Sequence, residues 1–77
     1  MSIEIRVPGL GAGMIEGTLV EWHKNDGAKI SPGDILYTIE TEKTATDIEA
    51  QESGTLRLIG KEGETYPVGE LIAVLEE

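Results

Sequence analysis

Seventy-seven residues make one small domain, a size at which about 60% of the unfolded chain's surface is hidden on folding. Fifteen acidic against six basic residues give a net charge of −9, which repels nucleic acid and anionic membrane surfaces and suits a basic surface on another protein. The absence of cysteine excludes disulfides and thiolate metal sites.

The core has to come from nine Ile, seven Leu and four Val, with Ala, Met14 and Trp22, since there is no Phe. β-Branched residues suit a pleated, half-buried surface, so the expected class is all-β. Ile3, Ile5 and Val7 alternate with Glu4 and Arg6 as a half-buried strand does, and Pro8-Gly9 ends it. Gly17 to Trp22 is the second strand. It puts Thr18, Val20 and Trp22 on one face and Leu19 on the other, so either both faces are apolar or a bulge intervenes. Asn25-Asp26-Gly27 and Ser31-Pro32-Gly33-Asp34 are turns. Ile35 to Ile39 and Thr46 to Ala50 flank Lys43; Leu56 and Leu58 alternate with Thr55 and Arg57; Lys61 to Glu64 turns again, and Leu71 to Leu75 closes the chain. Ten glycines and no apolar stripe of helical period argue against helices.

The pattern repeats. Gly17-Thr18-Leu19 returns as Gly54-Thr55-Leu56 at an offset of 37, and Gly27, Gly33, Ile35, Leu36 and Ile39 return at 36 as Gly63, Gly69, Leu71, Ile72 and Leu75. A half this short cannot bury its own apolar face. The expectation is therefore one domain over residues 1–77, a flattened β-barrel or sandwich of two quasi-symmetric four-stranded halves. Lys43 falls near their join, with the termini at the opposite pole.

Lys43 is the candidate for chemistry. From Asp34 to Glu52 it is the only cation, among Asp34, Glu40, Glu42, Asp47, Glu49 and Glu52. Most lysines are plain solvated surface residues; the symmetric position, the isolation among acids and the strands on either side set this one apart.

At these residues the chain resembles the lipoyl domains of 2-oxo acid dehydrogenase complexes, over nearly its whole length. The resemblance runs through Val7-Pro8-Gly9-Leu10-Gly11, Met14, Glu16-Gly17-Thr18-Leu19 and Trp22. It continues in Gly33-Asp34, Ile39-Glu40-Thr41-Glu42-Lys43, Gly54, Gly63, Val68-Gly69 and Ile72-Ala73. Around the modified lysine the family string is Glu-Thr-Asp-Lys-Ala; here Glu42 replaces Asp and Thr44 replaces Ala, and Gln51 stands where proline usually follows the alanine.

The resemblance implies that lipoic acid is amide-linked to Lys43, with Glu42 and Thr44 as the recognition turn read by the lipoate-attaching enzyme. An amine must be neutral to attack, and a carboxylate beside it favours the charged form, so deprotonation falls to that enzyme and Glu42 is not a catalytic partner. The resemblance further implies a swinging arm with no catalytic groups of its own. The arm accepts an acyl group from a thiamine-dependent 2-oxo acid decarboxylase and passes it to coenzyme A at an acyltransferase. A flavoprotein, dihydrolipoamide dehydrogenase, then reoxidises it. Gly11, Ala12, Gly13 and Met14 become the loop by which the decarboxylase recognises its partner domain. The chain is expected to be the amino-terminal part of an acyltransferase subunit, in the bacterial cytoplasm or the mitochondrial matrix; a free-standing lipoyl protein is the alternative.

Other readings are weaker. Gly9-Leu10-Gly11-Ala12-Gly13-Met14 fails as a nucleotide cradle because the third glycine of G-x-G-x-x-G falls on Met14 and no helix follows. His23 is expected on the surface, with no metal role, and no Ser-His-Asp arrangement exists. Trp22 and Met14 are expected to pack in the core or under a loop. A biotin carrier of a carboxylase shares the lysine turn but usually has Met on both sides of it. An unmodified structural module would need helical hairpins around it, a phosphopantetheine carrier a helix-borne serine, and the glycine-cleavage carrier a longer chain.

Overall fold

The computed structural model describes residues 2–11, 13–42 and 44–77; Met1, Ala12 and Lys43 lie outside the described residues. Eight strands follow in order: β1 Ser2–Arg6, β2 Glu16–Trp22, β3 Lys29–Ile30, β4 Ile35–Glu40, β5 Ala45–Glu49, β6 Gly54–Leu58, β7 Thr65–Pro67 and β8 Leu71–Glu76. Among the described residues there is no helix. The strands form two antiparallel four-stranded sheets, ordered β1-β8-β6-β3 and β5-β4-β2-β7. The two sheets stay separate, so the expected sandwich holds and closure into a barrel does not occur. The edge strands β3 and β7 hold only two and three residues, and Pro67 on β7 has no N–H to extend a ladder.

The two-fold relation is present bond by bond. Exchanging β1 to β4 for β5 to β8 converts one sheet order into the other. Each half supplies two strands to each sheet, so the halves interlock. Gly27 N–H donates to Leu56 C=O at 2.7 Å, and Gly63 N–H to Leu19 C=O at 2.7 Å. Leu56 N–H donates to Ala28 C=O, and Leu19 N–H to Glu64 C=O. Gly33 N–H reaches Ala50 C=O, and Gly69 N–H reaches Val7 C=O, both at 2.9 Å. Gly27 and Gly63 hold φ of +86° and +85°, a conformation that glycine adopts without steric cost. Two carboxylates complete the exchange: Asp26 accepts from Leu58 N–H at 2.9 Å, and its counterpart Glu62 accepts from Trp22 N–H at 2.7 Å.

The core obeys the same pairing. Leu19 and Leu56, Leu36 and Ile72, Ile39 and Leu75, and Val7 and Ala50 are all buried. Leu36 and Ile72 are also the bulged residues of β4 and β8, skipped in the registers Ile35↔Glu49, Tyr37↔Ile48 and Arg6↔Leu71, Ile5↔Ala73. A third bulge has no counterpart. In β2 the register passes from Leu19↔Ile39 to Glu21↔Thr38, which leaves Val20 unpaired and exposed. That extra residue explains why the repeat offset drops from 37 to 36 after Leu19, and it turns Trp22 inward. Size compensates across the axis at Tyr37 and Ala73, one large and one small. The Trp22 ring meets Tyr37 edge-on at 5.2 Å, and its Nε1–H donates to Gly60 C=O at 3.0 Å.

Strand pairing sets the poles. Ser2 pairs with Glu76 and Glu76 with Thr55, so both ends of the described chain lie where β6 begins. Glu40 pairs with Thr18 and with Ala45 at the other end of the ladder, where β4 turns into β5. β5 then runs back toward Gly54. The β4–β5 turn and the termini therefore occupy opposite ends of a body 33 Å long and 20 Å across.

The reciprocal carboxylates contribute measurably if the interlock is what holds the halves. Asp26→Ala and Glu62→Ala should each lower unfolding free energy in urea by about 1 kcal/mol, and an unchanged midpoint in both would contradict this role. Burial pushes the Tyr37 phenol from 10.0 up to about 12. The folded value lies above the unfolded one, so this contribution is complete below pH 10 and is lost as pH climbs toward 12. Tyr37→Phe should lose less stability over that interval than the wild-type chain in parallel urea titrations.

Candidate functional site

The β4–β5 connection closes tightly. Thr41 N–H donates to Thr44 C=O at 2.8 Å, one step beyond the last ladder pair, Glu40↔Ala45. Only Glu42 and Lys43 remain inside that closure in sequence. Lys43, the expected attachment residue, lies outside the described residues; its neighbours Glu42 and Thr44, the expected recognition turn, are both exposed. Covalent attachment needs an accessible connection with room for a partner enzyme, and exposed residues on either side of Lys43 fit a group carried there. The charged residues of β4 and β5 are Glu40, Asp47 and Glu49, all exposed and all acidic.

The expected partner loop lies beside this turn. Leu10, Gly11, Gly13, Met14 and Ile15 line an open cleft of about 730 Å³ together with Thr41, Glu42 and Thr44. Met14 N–H donates to Gly11 C=O at 3.2 Å, and Leu10 N–H points at Met14 Sδ at 3.2 Å, so the loop folds back on the methionine. Ala12 lies outside the described residues. Met14 is half-buried against the core, as expected for a packing residue. Gly17 makes room for it: a Cβ there would stand 2.8 Å from Ile39 Cγ1 and 3.2 Å from Met14 Cε.

This loop is the larger break in the two-fold relation, beside the single bulged residue Val20. Nine residues, 8–16, separate Val7 from Gly17, whereas three, 51–53, separate their counterparts Ala50 and Gly54. The fold makes the same passage without the six extra residues. They carry apolar surface that sequence reasoning missed: Ile15 is 75% exposed and Leu10 43%, with Val68 at 39% beside them, its N–H on Ile15 C=O at 3.0 Å. The signal was legible in the unequal spacing of the repeat, 43 for Val7 to Ala50 against 37 for Gly17 to Gly54.

The remaining candidates find structural roles. His23 sits on the outer face of its sheet, with Nε2 2.7 Å from Thr38 Oγ1, whose hydroxyl donates to Asp47 Oδ1 at 2.7 Å. With Thr38 donating onward, His23 donates to it, and the three side chains link β4 and β5 to the end of β2. Among the described residues no three His, Cys, Asp or Glu side chains are placed to hold a metal. No helix among them is long and apolar enough to cross a membrane.

Comparison with known proteins agrees with this geometry. Residues 3–75 match the sequence model of the biotin/lipoyl family, described as biotin-requiring enzyme. The chain is 42% identical over 79 residues to a dihydrolipoyllysine-residue acetyltransferase component of the pyruvate dehydrogenase complex from Rickettsia bellii, covering 100% of this chain and 19% of the relative. It is 44% identical over 77 residues to a pyruvate dehydrogenase E1 component subunit beta from Rhizobium meliloti, covering 97% and 17%. The chain thus spans about a fifth of the length of the curated relatives it matches. The solution structure of the lipoyl domain of the 2-oxoglutarate dehydrogenase complex from Azotobacter vinelandii superposes with a TM-score of 0.82 at 30% identity, covering 97% of this chain and 96% of that one. With residues 3–75 matched by the family model and nearly the whole of both chains superposed, the chain belongs to the biotin/lipoyl family as a lipoyl domain.

Proposed function

We propose that residues 1–77 form one carrier domain bearing lipoate in amide linkage on Lys43. The observation that carries this reading is the tight, exposed, acid-flanked turn at the pole away from the termini, in which Lys43 is the one cation. On attachment, the Lys43 ammonium loses one proton to the attaching enzyme, Nζ attacks the carboxyl carbon of an activated lipoyl group, and the second proton leaves Nζ as the amide forms. The C–N bond forms as the activating group leaves, and the net charge moves from −9 to −10. When bound, the group supplies a dithiolane that carries an acyl unit and two electrons, chemistry that no side chain provides.

The chain's own part is mechanical and electrostatic. The ladder stiffens the turn, the opposite pole leaves the termini free for tethering, and the acidic surface faces basic partners. The partners on this reading are a lipoate-attaching enzyme, a thiamine-dependent decarboxylase, an acyltransferase centre and dihydrolipoamide dehydrogenase. The setting is the bacterial cytoplasm, or the mitochondrial matrix in a eukaryote. Glu42 and Thr44, in place of flanking methionines, disfavour biotin. The loop Gly11 to Met14, extended to Leu10, Ile15 and Val68, is the surface the decarboxylase reads.

Intact mass after incubation with a lipoate ligase, ATP and lipoate should rise by one lipoyl group, and Lys43→Ala and Lys43→Arg should abolish the gain while melting like wild type. A biotin adduct from a parallel biotin ligase reaction would move the domain to the carboxylases. Ile15→Ser with Val68→Ser should slow reductive acylation by the decarboxylase about tenfold, as loss of an apolar interface anchor does, without slowing lipoylation. Equal loss of both activities would mean that the loop supports the fold.

A further inference from the structure

We propose that Thr41 is the positioning residue of the turn that carries Lys43, acting through its hydroxyl; this rests on Lys43 being the acceptor of the acyl arm. Along β4 the burial alternates toward the turn. Ile39 is fully buried, Glu40 exposed, Thr41 half-buried and Glu42 exposed. Thr41 therefore points to the core side, into the cleft it shares with Leu10, Met14 and Ile15.

From that side its hydroxyl spans the turn. It donates to Thr44 C=O at 3.3 Å, and Thr44 N–H donates to Thr41 Oγ1 at 3.4 Å. Among the described residues the backbone supplies one bond of the closing pair, Thr41 N–H to Thr44 C=O at 2.8 Å. The acceptor for Thr44 N–H among the described residues is the Thr41 side chain. These are long bonds at an exposed turn, so each is weak, but together they bracket the two-residue segment Glu42-Lys43 from its two ends. A group that another enzyme must find has to stay in one place, and misplacing it costs rate.

Loss of the hydroxyl leaves the ladder below intact and lets the turn sample other closures. A partner that accepts one closure then sees a smaller competent fraction, which raises its apparent dissociation constant without changing the step after binding. Thr41→Val keeps the shape and removes both hydroxyl bonds, whereas Thr41→Ser keeps the hydroxyl and removes the methyl.

In lipoylation by a lipoate ligase with ATP and lipoate, Thr41→Val should raise KM for the domain about fivefold, the equivalent of one hydrogen bond, with kcat unchanged. Thr41→Ser should restore KM, and amide exchange at Thr44 in the unmodified protein should quicken in the Val variant only. A Val variant with wild-type KM and wild-type Thr44 exchange would overturn the proposal. So would a Ser variant as impaired as the Val variant, since the methyl would then be the active part. If wild type accepts no lipoate, the carrier reading fails, and Thr44 exchange still decides whether the hydroxyl holds the turn.

Discussion

Each half of this chain satisfies its turns with the backbone of the other. The turn at Asp26-Gly27-Ala28 closes onto Leu56 and Leu58, and the turn at Glu62-Gly63-Glu64 closes onto Leu19 and Trp22. Buried backbone groups must find partners, and here those partners lie about half the chain away. Neither half can complete its sheets alone, and the exchange seals one core between them. Interleaved strands give the domain a core that a half of its length could not build.

Such an arrangement leaves little freedom in the middle of the body and concentrates variation at its ends. The exchange constrains Leu19, Leu36, Ile39 and their counterparts Leu56, Ile72 and Leu75, which are all buried. It constrains neither the passage from Val7 to Gly17 nor the turn between β4 and β5. The longer passage and the acidic turn lie side by side along one cleft. Departure from two-fold symmetry therefore coincides with the surface proposed above for recognition by the decarboxylase.

The residues on either side of the turn are placed by what supports them. A register without irregularity runs from Tyr37↔Ile48 to Glu40↔Ala45 and delivers Thr41 and Thr44 opposite one another. The bulge at Leu36 lies farther down the strand, away from the turn. On the other side of β4, the bulge at Val20 twists β2 and aims Trp22 into the core under Tyr37. A carrier group at such a site gains its mobility from its own chain of single bonds, while the protein fixes the point from which it swings.

The class, the repeat and most strands were legible in the residues, because apolar alternation, glycine turns and the offsets of 36 and 37 are local or periodic signals. The candidate lysine was legible too, as the one cation in an acidic stretch between two strands. β3 and β7 were not, since two or three residues cannot show a period and exist as strands only where β6 and β2 supply their partners. Nor did the residues choose between a bulge and two apolar faces in β2; the pairing with β4 decided that by skipping Val20. The barrel and the sandwich were equally compatible with alternation, and pairing into two separate four-stranded sheets settled it. The sequence alone thus determined an all-β domain of two similar halves joined near Lys43. Tertiary structure decided that Thr41 faces inward beneath the turn, through the burial of its strand, and that the halves interlock and Val68 joins Ile15 beside the turn, because these last depend on hydrogen-bond partners far away in the chain.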